Sequence, residues 1–309
     1  MLPPHWKNAL KHRISHFTLN PDTTLRILNE EDPDIRCDRL GPVCWFYCYR
    51  PITKQDEVAM AYLADHVGSP YWCANYMQDR GKNPITHSQV THKTPEEWIG
   101  TEEGVVYQFR RRQGLSPGLF LDQRANRRWL RKQSSGLRIL NLFSYTGGFS
   151  LNAALGGAKE VVSVDINRPF IEWSKKNFEL NSLKPEDWEF WTTEARYFLD
   201  GCAKRNRTFD LVICDPPSFA RSKFGLFRIE DDMHSLLQQI DGVLPIGGRL
   251  LFCSNYEKWD ILQFRHSIQK TLPLSSYSLC KLPNLDIDVA YGNGLKNLKF
   301  LAIRKESDQ

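Results

Sequence analysis

The residues with the clearest chemical potential lie in Asn141-Leu142-Phe143-Ser144-Tyr145-Thr146-Gly147-Gly148-Phe149-Ser150. The stretch closes one apolar run and opens a second. A glycine pair between a strand and a helix lets the backbone turn sharply and approach a ligand closely. The helix start beyond it offers free N–H groups and the positive end of the dipole, which suits an anion. The spacing is not G-x-G-x-x-G, which disfavours a dinucleotide, whereas a carboxylate such as that of methionine suits the same place. Seventeen residues after Gly148, the run Val161-Val162-Ser163-Val164 ends in Asp165-Ile166-Asn167. A carboxylate at a strand's C-terminal end can accept both hydroxyls of a ribose. Glycine pair and strand-end acid, in this order, point to a nucleoside cofactor. Glu194-Ala195 opens a later helix; the acid there could accept an adenine amino group, or simply cap the helix.

A second constellation is Leu211-Val212-Ile213-Cys214-Asp215-Pro216-Pro217-Ser218-Phe219. Consecutive prolines fix φ, remove two donors and stiffen the loop at the strand's C-terminal edge, where open α/β sheets bind ligands. Asp215 could accept from an exocyclic amine, and Phe219 could stack on a flat base. Cys214 precedes Asp215 and, by the alternation of a strand, points to the opposite face.

The elements that would position these residues follow a regular series. Strands are expected at Arg138 to Phe143, Glu160 to Val164, Trp188 to Trp191, Phe209 to Cys214 and Arg249 to Cys253. Helices are expected between them, at Phe149 to Leu155, Pro169 to Asn181, Glu194 to Gly201 and Asp231 to Val243, and at Trp259 to Thr271. Such alternation means a parallel sheet. Two last strands, near Ser275 to Cys280 and Leu298 to Ile303, are joined by a loop, which predicts one antiparallel strand at that end.

Residues 1–115 lack this alternation. Leu25 to Leu28 and Val43 to Tyr49 read as strands, Lys54 to His66 as a helix, Gly81 to Pro84 as a loop, and Trp98 to Gly100 with Val105 to Phe109 as a hairpin turning at Glu102-Glu103-Gly104. The expected organisation is a smaller β-rich domain over 1–115 and an α/β, Rossmann-like domain over 116–309.

These motifs resemble those of the class I methyltransferases. More narrowly, Gly118-Leu119-Phe120-Leu121-Asp122-Gln123-Arg124, the Asn141 to Ser150 stretch and Asp215 to Lys223 resemble the bacterial 23S ribosomal RNA methyltransferase family, over about residues 95–304. That family contains a cytosine-5 enzyme and the guanine-methylating domain of a fused enzyme. The resemblance implies a seven-stranded sheet and S-adenosylmethionine as cofactor. It implies cofactor-side roles for Phe120, Asp122, Gln123 and Arg124, for Asn141, Phe143, Ser144, Tyr145, Thr146, Gly147 and Gly148, and for Asp165, Ile166, Asn167, Glu194 and Ala195. The catalytic residues would be Asp215, Pro216, Pro217 and Phe219. In the cytosine-5 members a thiol lies seven residues after the glycine pair leading into the fifth strand. Counted from Gly247-Gly248 that position is Asn255, as in the guanine-modifying members, and Cys253 is two residues short of it. The N-terminal segment is too short and too differently patterned for the RNA-binding PUA module of the cytosine-5 members as well as a linker domain.

Composition is compatible with this and narrows it. The chain has 309 residues, 25% charged, with a net charge of +5, which permits a nucleic-acid partner without demanding one. No apolar run is long enough to cross a bilayer, and the N-terminus has no apolar stretch of signal-peptide length, so a cytoplasmic protein is expected. The eight cysteines form no C-x-x-C pair and the eight histidines show no ligand spacing, so buried thiols and no metal are expected. Arg110-Arg111-Arg112, the run Arg124 to Lys132, and Arg221 with Lys223 could attract phosphates. The expected function is transfer of a methyl group to a base nitrogen, guanine in large-subunit ribosomal RNA, with a homodimer allowed. The alternatives are cytosine-5 methylation through Cys253, a protein or small-molecule methyltransferase, and a non-catalytic cofactor- or RNA-binding protein.

Overall fold

A computed structural model of the chain describes residues 2–77, 89–113, 116–222, 225–290 and 298–308. The loop expected at Gly81 to Pro84, and Lys223, lie outside them. The chain forms two compact units, Met1–Arg124 with Leu285–Gly292, and Ala125–Asn284 with Asn293–Gln309.

The first unit begins with helix α1 (Pro4–His16), which starts on a proline and buries Trp6, Ala9, Leu10 and Arg13. That spacing lines one helix face. Strands β1 (Thr24–Leu28), β2 (Ile35–Leu40), β3 (Val43–Cys48), β4 (Tyr71–Tyr76) and β5 (Gln89–His92) form a sheet in sequential order. All its pairs are antiparallel except β3 with β4. Helix α2 (Lys54–His66) makes that crossover and starts in a capping box between Thr53 and Asp56. Strands β6 (Glu97–Glu102) and β7 (Val105–Arg110) form the expected hairpin. Its two turn residues, Glu103 and Gly104, both have positive φ (51° and 79°), which matches the twist of the flanking strands.

Several charges are buried in this unit. Arg26 and Asp38 face one another across β1 and β2, with Nε donating to Oδ1 at 2.7 Å. The returning segment places Asp288, 0% exposed, where it accepts from Arg26 N and from both sides of its carboxylate from Arg124 Nη1. Arg124 also donates to Glu102. Charges removed from water persist only when paired and hydrogen-bonded in this way.

The second unit is entered through helix α3 (Arg124–Gln133). Its elements are β8 (Arg138–Leu142), α4 (Gly148–Leu155), β9 (Glu160–Asp165), α5 (Arg168–Leu180), β10 (Glu189–Thr192), α6 (Ala195–Lys204), β11 (Leu211–Cys214), β12 (Phe219–Ser222), β13 (Gly225–Arg228), α7 (Ile229–Asp241), β14 (Arg249–Ser254), α8 (Ile261–Gln269), β15 (Tyr277–Leu279) and β16 (Lys299–Lys305). The seven-stranded sheet runs β10-β9-β8-β11-β14-β16-β15. Strands β10 through β14 pair in parallel, and β16 is antiparallel to both of its neighbours, as the loop connection predicted. The hydrophobic core under the sheet joins Leu140, Val162, Val212 and Leu250 to Phe198, Leu237 and Phe264 of the helices. At the N-terminal edge Arg138 and Asp210 clip β8 to β11 with two charged hydrogen bonds, at 2.8 and 3.1 Å. The C-terminal edge is left to the loops.

Candidate active site and cofactor loop

In-register pairing brings Leu142, Val164 and Cys214 to one level of the sheet. The loops that follow them, 143–147, 165–167 and 215–218, therefore emerge side by side. The break between β8 and α4 is tight: Phe143, Tyr145 and Gly147 all have positive φ, at 56°, 49° and 77°. Two side-chain-bearing residues in the left-handed region are a cost that concentrates at functional sites. Gly147 has no alternative. A Cβ there would lie 1.9 Å from Ser174 Oγ on α5. Asn177, one turn further along α5, donates to Thr146 O at 2.9 Å. Beneath the loop a buried chain links Ser163 and Asn141 to Ser150 Oγ at 2.7 and 2.9 Å.

Asp165 is bound to this loop. Its Oδ2 accepts from Tyr145 N at 2.9 Å and its Oδ1 from Asn167 N at 2.8 Å. Burial pushes its carboxyl up from the ordinary 3.8, and the backbone N–H groups of Asn167, Tyr145 and Ile166 pull back only part of that. Next to it Ile166 leaves an apolar side chain 41% exposed. Ser144 and Ser174 each hold a buried hydroxyl with no hydrogen-bond partner among the described residues. Such groups are costly unless something pairs with them.

The chain matches the family model of S-adenosylmethionine-dependent methyltransferases over residues 62–300. It belongs to that family. The crystal structure of a methyltransferase complexed with SAH superimposes with a TM-score of 0.86 at 25% identity, over 97% of this chain and 80% of that one. A SAM-dependent methyltransferase from Streptococcus mutans gives 0.84 at 25% identity, with the same coverage. Among sequence relatives, ribosomal RNA large subunit methyltransferase K/L of Shewanella oneidensis is 39% identical over 212 residues, 67% of this chain and 29% of that protein. Its counterpart in Shewanella loihica is 35% identical over 197 residues, 60% of this chain and 27% of that protein. The match thus spans under a third of these relatives' own length.

The cofactor of this methyltransferase is S-adenosylmethionine, and the residues present fit it. The oriented carboxylate of Asp165 could accept from ribose hydroxyls, and the exposed apolar surface of Ile166 could lie against a flat base. The buried hydroxyl of Ser144 and the start of α4 could hydrogen-bond a carboxylate. Phe143, Ser144, Tyr145, Thr146, Gly147 and Asn167 belong to the loops at this edge, Gly148 opens α4, and Asp165 closes β9. Asn141 is buried and holds Ser150 from below. Tyr145 turns its ring edge-on to Phe170, 4.6 Å between centroids.

Glu194 and Ala195 stand at the start of α6. Glu194 caps α6, accepting from Tyr197 N at 2.9 Å, and its other oxygen accepts from Arg196 Nε at 3.0 Å. Arg196 bridges onward to Asp232 of α7. Phe120, Asp122, Gln123 and Arg124 belong to the first unit. Phe120 is half-exposed and Gln123 buried. The Arg124 guanidinium is enclosed: burial would pull its proton affinity down, and the carboxylates of Asp288, Glu102 and Asp286 outweigh that and raise it. Three acids, Glu102, Asp286 and Asp288, hold this guanidinium in place.

In the loop after β11, Asp215 and the prolines follow the strand directly, and Phe219 is 56% exposed. Burial pushes the Cys214 thiol well up, and the Asp215 charge adds to it, which leaves no reactive thiolate there. Cys253 is fully buried in β14, where Asn126 Nδ2 donates to its sulfur at 3.8 Å. Asn255 reaches the loop after β11, accepting from Ser218 Oγ at 3.2 Å. Among the described residues no group of histidine, cysteine or acidic side chains could hold a metal.

Part of the expected basic surface is paired or buried. Arg110 pairs with Glu97, Arg111 and Arg112 with Glu96, and Arg124 and Arg127 are buried. Sequence runs count charges but not the acids folded against them. Sequence reasoning also missed Ser174 and Asn177, which shape the cofactor loop from α5; a small and an amide residue three apart on a helix carry no distinguishing signal.

Proposed function

We propose that this chain methylates a base nitrogen, that of a guanine in large-subunit ribosomal RNA, by direct in-line transfer. The observation that carries this reading is Asn255 hydrogen-bonded to Ser218 of the Asp215-Pro216-Pro217-Ser218 loop, while Cys253 is shut in the core. Cytosine C5 needs a thiolate to add to the ring before it can attack, and the two thiols near this loop, Cys214 and Cys253, are both fully buried. A base nitrogen has its own lone pair. The names of the Shewanella relatives support ribosomal RNA as the substrate.

Bound S-adenosylmethionine supplies a methyl group already activated on a sulfonium. The protein's part is positioning and electrostatics. Asp215 accepts from the amino group of the base and turns its lone pair toward the methyl. Phe219 stacks on the ring, and Pro216 and Pro217 keep the two side chains at fixed spacing. Asp215 would stabilise the positive charge that develops on the nitrogen as it takes the methyl, and would accept the proton that this nitrogen then gives up. A base within structured RNA has to be turned out of its stack to reach this loop.

The test is mass spectrometry of nucleosides from unmodified large-subunit RNA treated with the full chain and labelled cofactor. Labelled methylguanosine is expected. Labelled 5-methylcytidine would overturn the direct mechanism, and no labelled nucleoside, despite cofactor binding, would overturn RNA as the substrate.

A further inference from the structure

The hairpin of β12 and β13 grows directly out of the catalytic loop, and its two faces differ sharply. Its register sets Phe219 opposite Arg228, Ala220 opposite Phe227, and Arg221 opposite Leu226. In an antiparallel pair, opposed residues share a face and alternate residues along a strand return to it. One face therefore carries Ala220 and Phe227. Phe227 is buried against Phe143 of the loop after β8, 5.7 Å between ring centroids, and the Arg196 guanidinium lies 5.9 Å from its centroid. The other face carries Phe219, Arg221, Leu226 and Arg228, all of them exposed. That is one aromatic ring, one aliphatic side chain, two cations and no acid.

The hairpin is held firmly enough to present this face. Ile229 N donates to Ser218 O at 3.2 Å, and Arg228 N donates to Asp232 Oδ2 at 2.7 Å. Asp232 is in turn fixed by Arg196 at 2.9 Å. Asp231 lies 4.0 Å from the Arg228 guanidinium and is itself in solvent, too hydrated to neutralise it, and the Asp232 carboxylate is taken up by Arg228 N and by Arg196. This contrasts with Arg110, Arg111 and Arg124, each of which lies against a carboxylate. A cationic face is thus left open one strand step from the ring assigned to the target base.

We propose that this face holds the single-stranded RNA on either side of the methylated base, Arg221 and Arg228 contacting backbone phosphates and Leu226 lying under the neighbouring sugar or base. The inference rests on the RNA reading above. Its chemistry is that of a stacking platform flanked by guanidinium groups, which recognises unpaired nucleic acid with little regard to sequence. It gives the protein a grip on the nucleotides beside the target, which a flipped base needs if it is to stay in place during transfer.

The test is fluorescence anisotropy of a labelled single-stranded RNA oligomer of about ten nucleotides with the full chain, over a range of salt concentrations. The double variant Arg221→Gln/Arg228→Gln is expected to bind about tenfold more weakly at low salt, with a log–log salt slope shallower by about 1.4, the value for two phosphates on a single strand. Its affinity for cofactor, read by calorimetry, stays within about twofold of the parent, since neither residue lies in the cofactor loops. The single variant Arg205→Gln, at the end of α6 and at the other edge of the sheet, is expected to leave the slope unchanged. If the parent binds RNA with a salt slope and the double variant has the same slope and affinity, the hairpin proposal fails alone. If the parent shows no salt-dependent RNA binding, the RNA reading fails and takes this proposal with it.

Discussion

The backbone N–H of Tyr145 donates to Asp165 Oδ2 at 2.9 Å, so the loop after β8 and the acid at the end of β9 are one structure. Each orients the other: the carboxylate satisfies a backbone group in a left-handed turn, and the turn fixes the carboxylate's plane. Replacing Asp165 by alanine should weaken cofactor binding by about 10- to 100-fold, the scale of losing hydrogen bonds to a charged acceptor. Asp215→Ala should leave that affinity within about twofold and lower the rate of transfer by about 100-fold or more. Calorimetry and single-turnover kinetics separate the two. Equal losses of affinity in both variants would contradict the roles assigned.

The raised carboxyl of Asp165 also sets a pH dependence. A carboxyl lifted above 3.8 by burial favours the folded chain most when protonated. That contribution is full below 3.8 and is lost as pH rises through the lifted value, so at neutral pH the empty site bears an ionised, partly desolvated acid. Ribose hydroxyls donating to the ionised form relieve this. Cofactor should therefore raise the melting temperature more at about pH 7 than at about pH 4.5, closer to the carboxyl's range. An increment independent of pH would rule out Asp165 as the ribose acceptor.

Gly147 tolerates no side chain. Alanine there meets Ser174 Oγ at 1.9 Å and must hold φ near 77°. Left-handed backbone and overpacking together should cost about 2–4 kcal/mol, read by urea denaturation. Adding Ser174→Gly removes the clash but not the backbone strain, so it should restore about half of the loss. Full restoration would mean that the positive φ carries no cost.

Arg124 is predicted to matter for folding more than for catalysis. Arg124→Met leaves Asp288 and Glu102 as buried acids without their cation, and should cost about 3–5 kcal/mol. The cofactor affinity of the protein that remains folded should be near that of the parent. A stable Arg124→Met chain that has lost cofactor binding would return this arginine to the cofactor.

Cys253→Ala should retain transfer within about threefold and lose about 1 kcal/mol of stability, as expected for trimming a buried side chain. A folded variant with no activity would revive the thiol mechanism.

Much of the second unit was readable because each element carries its own period. Parallel strands buried on both faces read as short apolar runs, and the helices between them as amphipathic ones. Hence the boundaries of β8, α4, β9 and β14 fall within a residue of expectation. The first unit was harder. Strand β2, Ile35–Leu40, contains Arg36, Asp38 and Arg39 and does not look like the interior of a sheet; Asp38 and Arg39 are buried there because Arg26 and Ser69 meet them from elsewhere in the chain. Helix α1 shows its apolar positions only once Arg13 is counted among them. Strand β4 was missed as well. In the site, Asp165 and the glycine pair announced themselves by spacing, whereas the capping duty of Glu194 and the enclosure of Arg124 depend on partners that a linear reading does not pair with them.

The segment that returns to the first unit has a consequence for synthesis. Arg124 and Asp288 are 164 residues apart. A ribosome adding about 5–20 residues per second needs on the order of ten to thirty seconds to pass from one to the other. Until then Arg26 and Arg124 lack an acid that their final surroundings contain, although every strand of the first sheet has already been made. The first unit to emerge is therefore not the first to be finished: its last buried charge arrives after β14 and α8 of the second unit have left the ribosome.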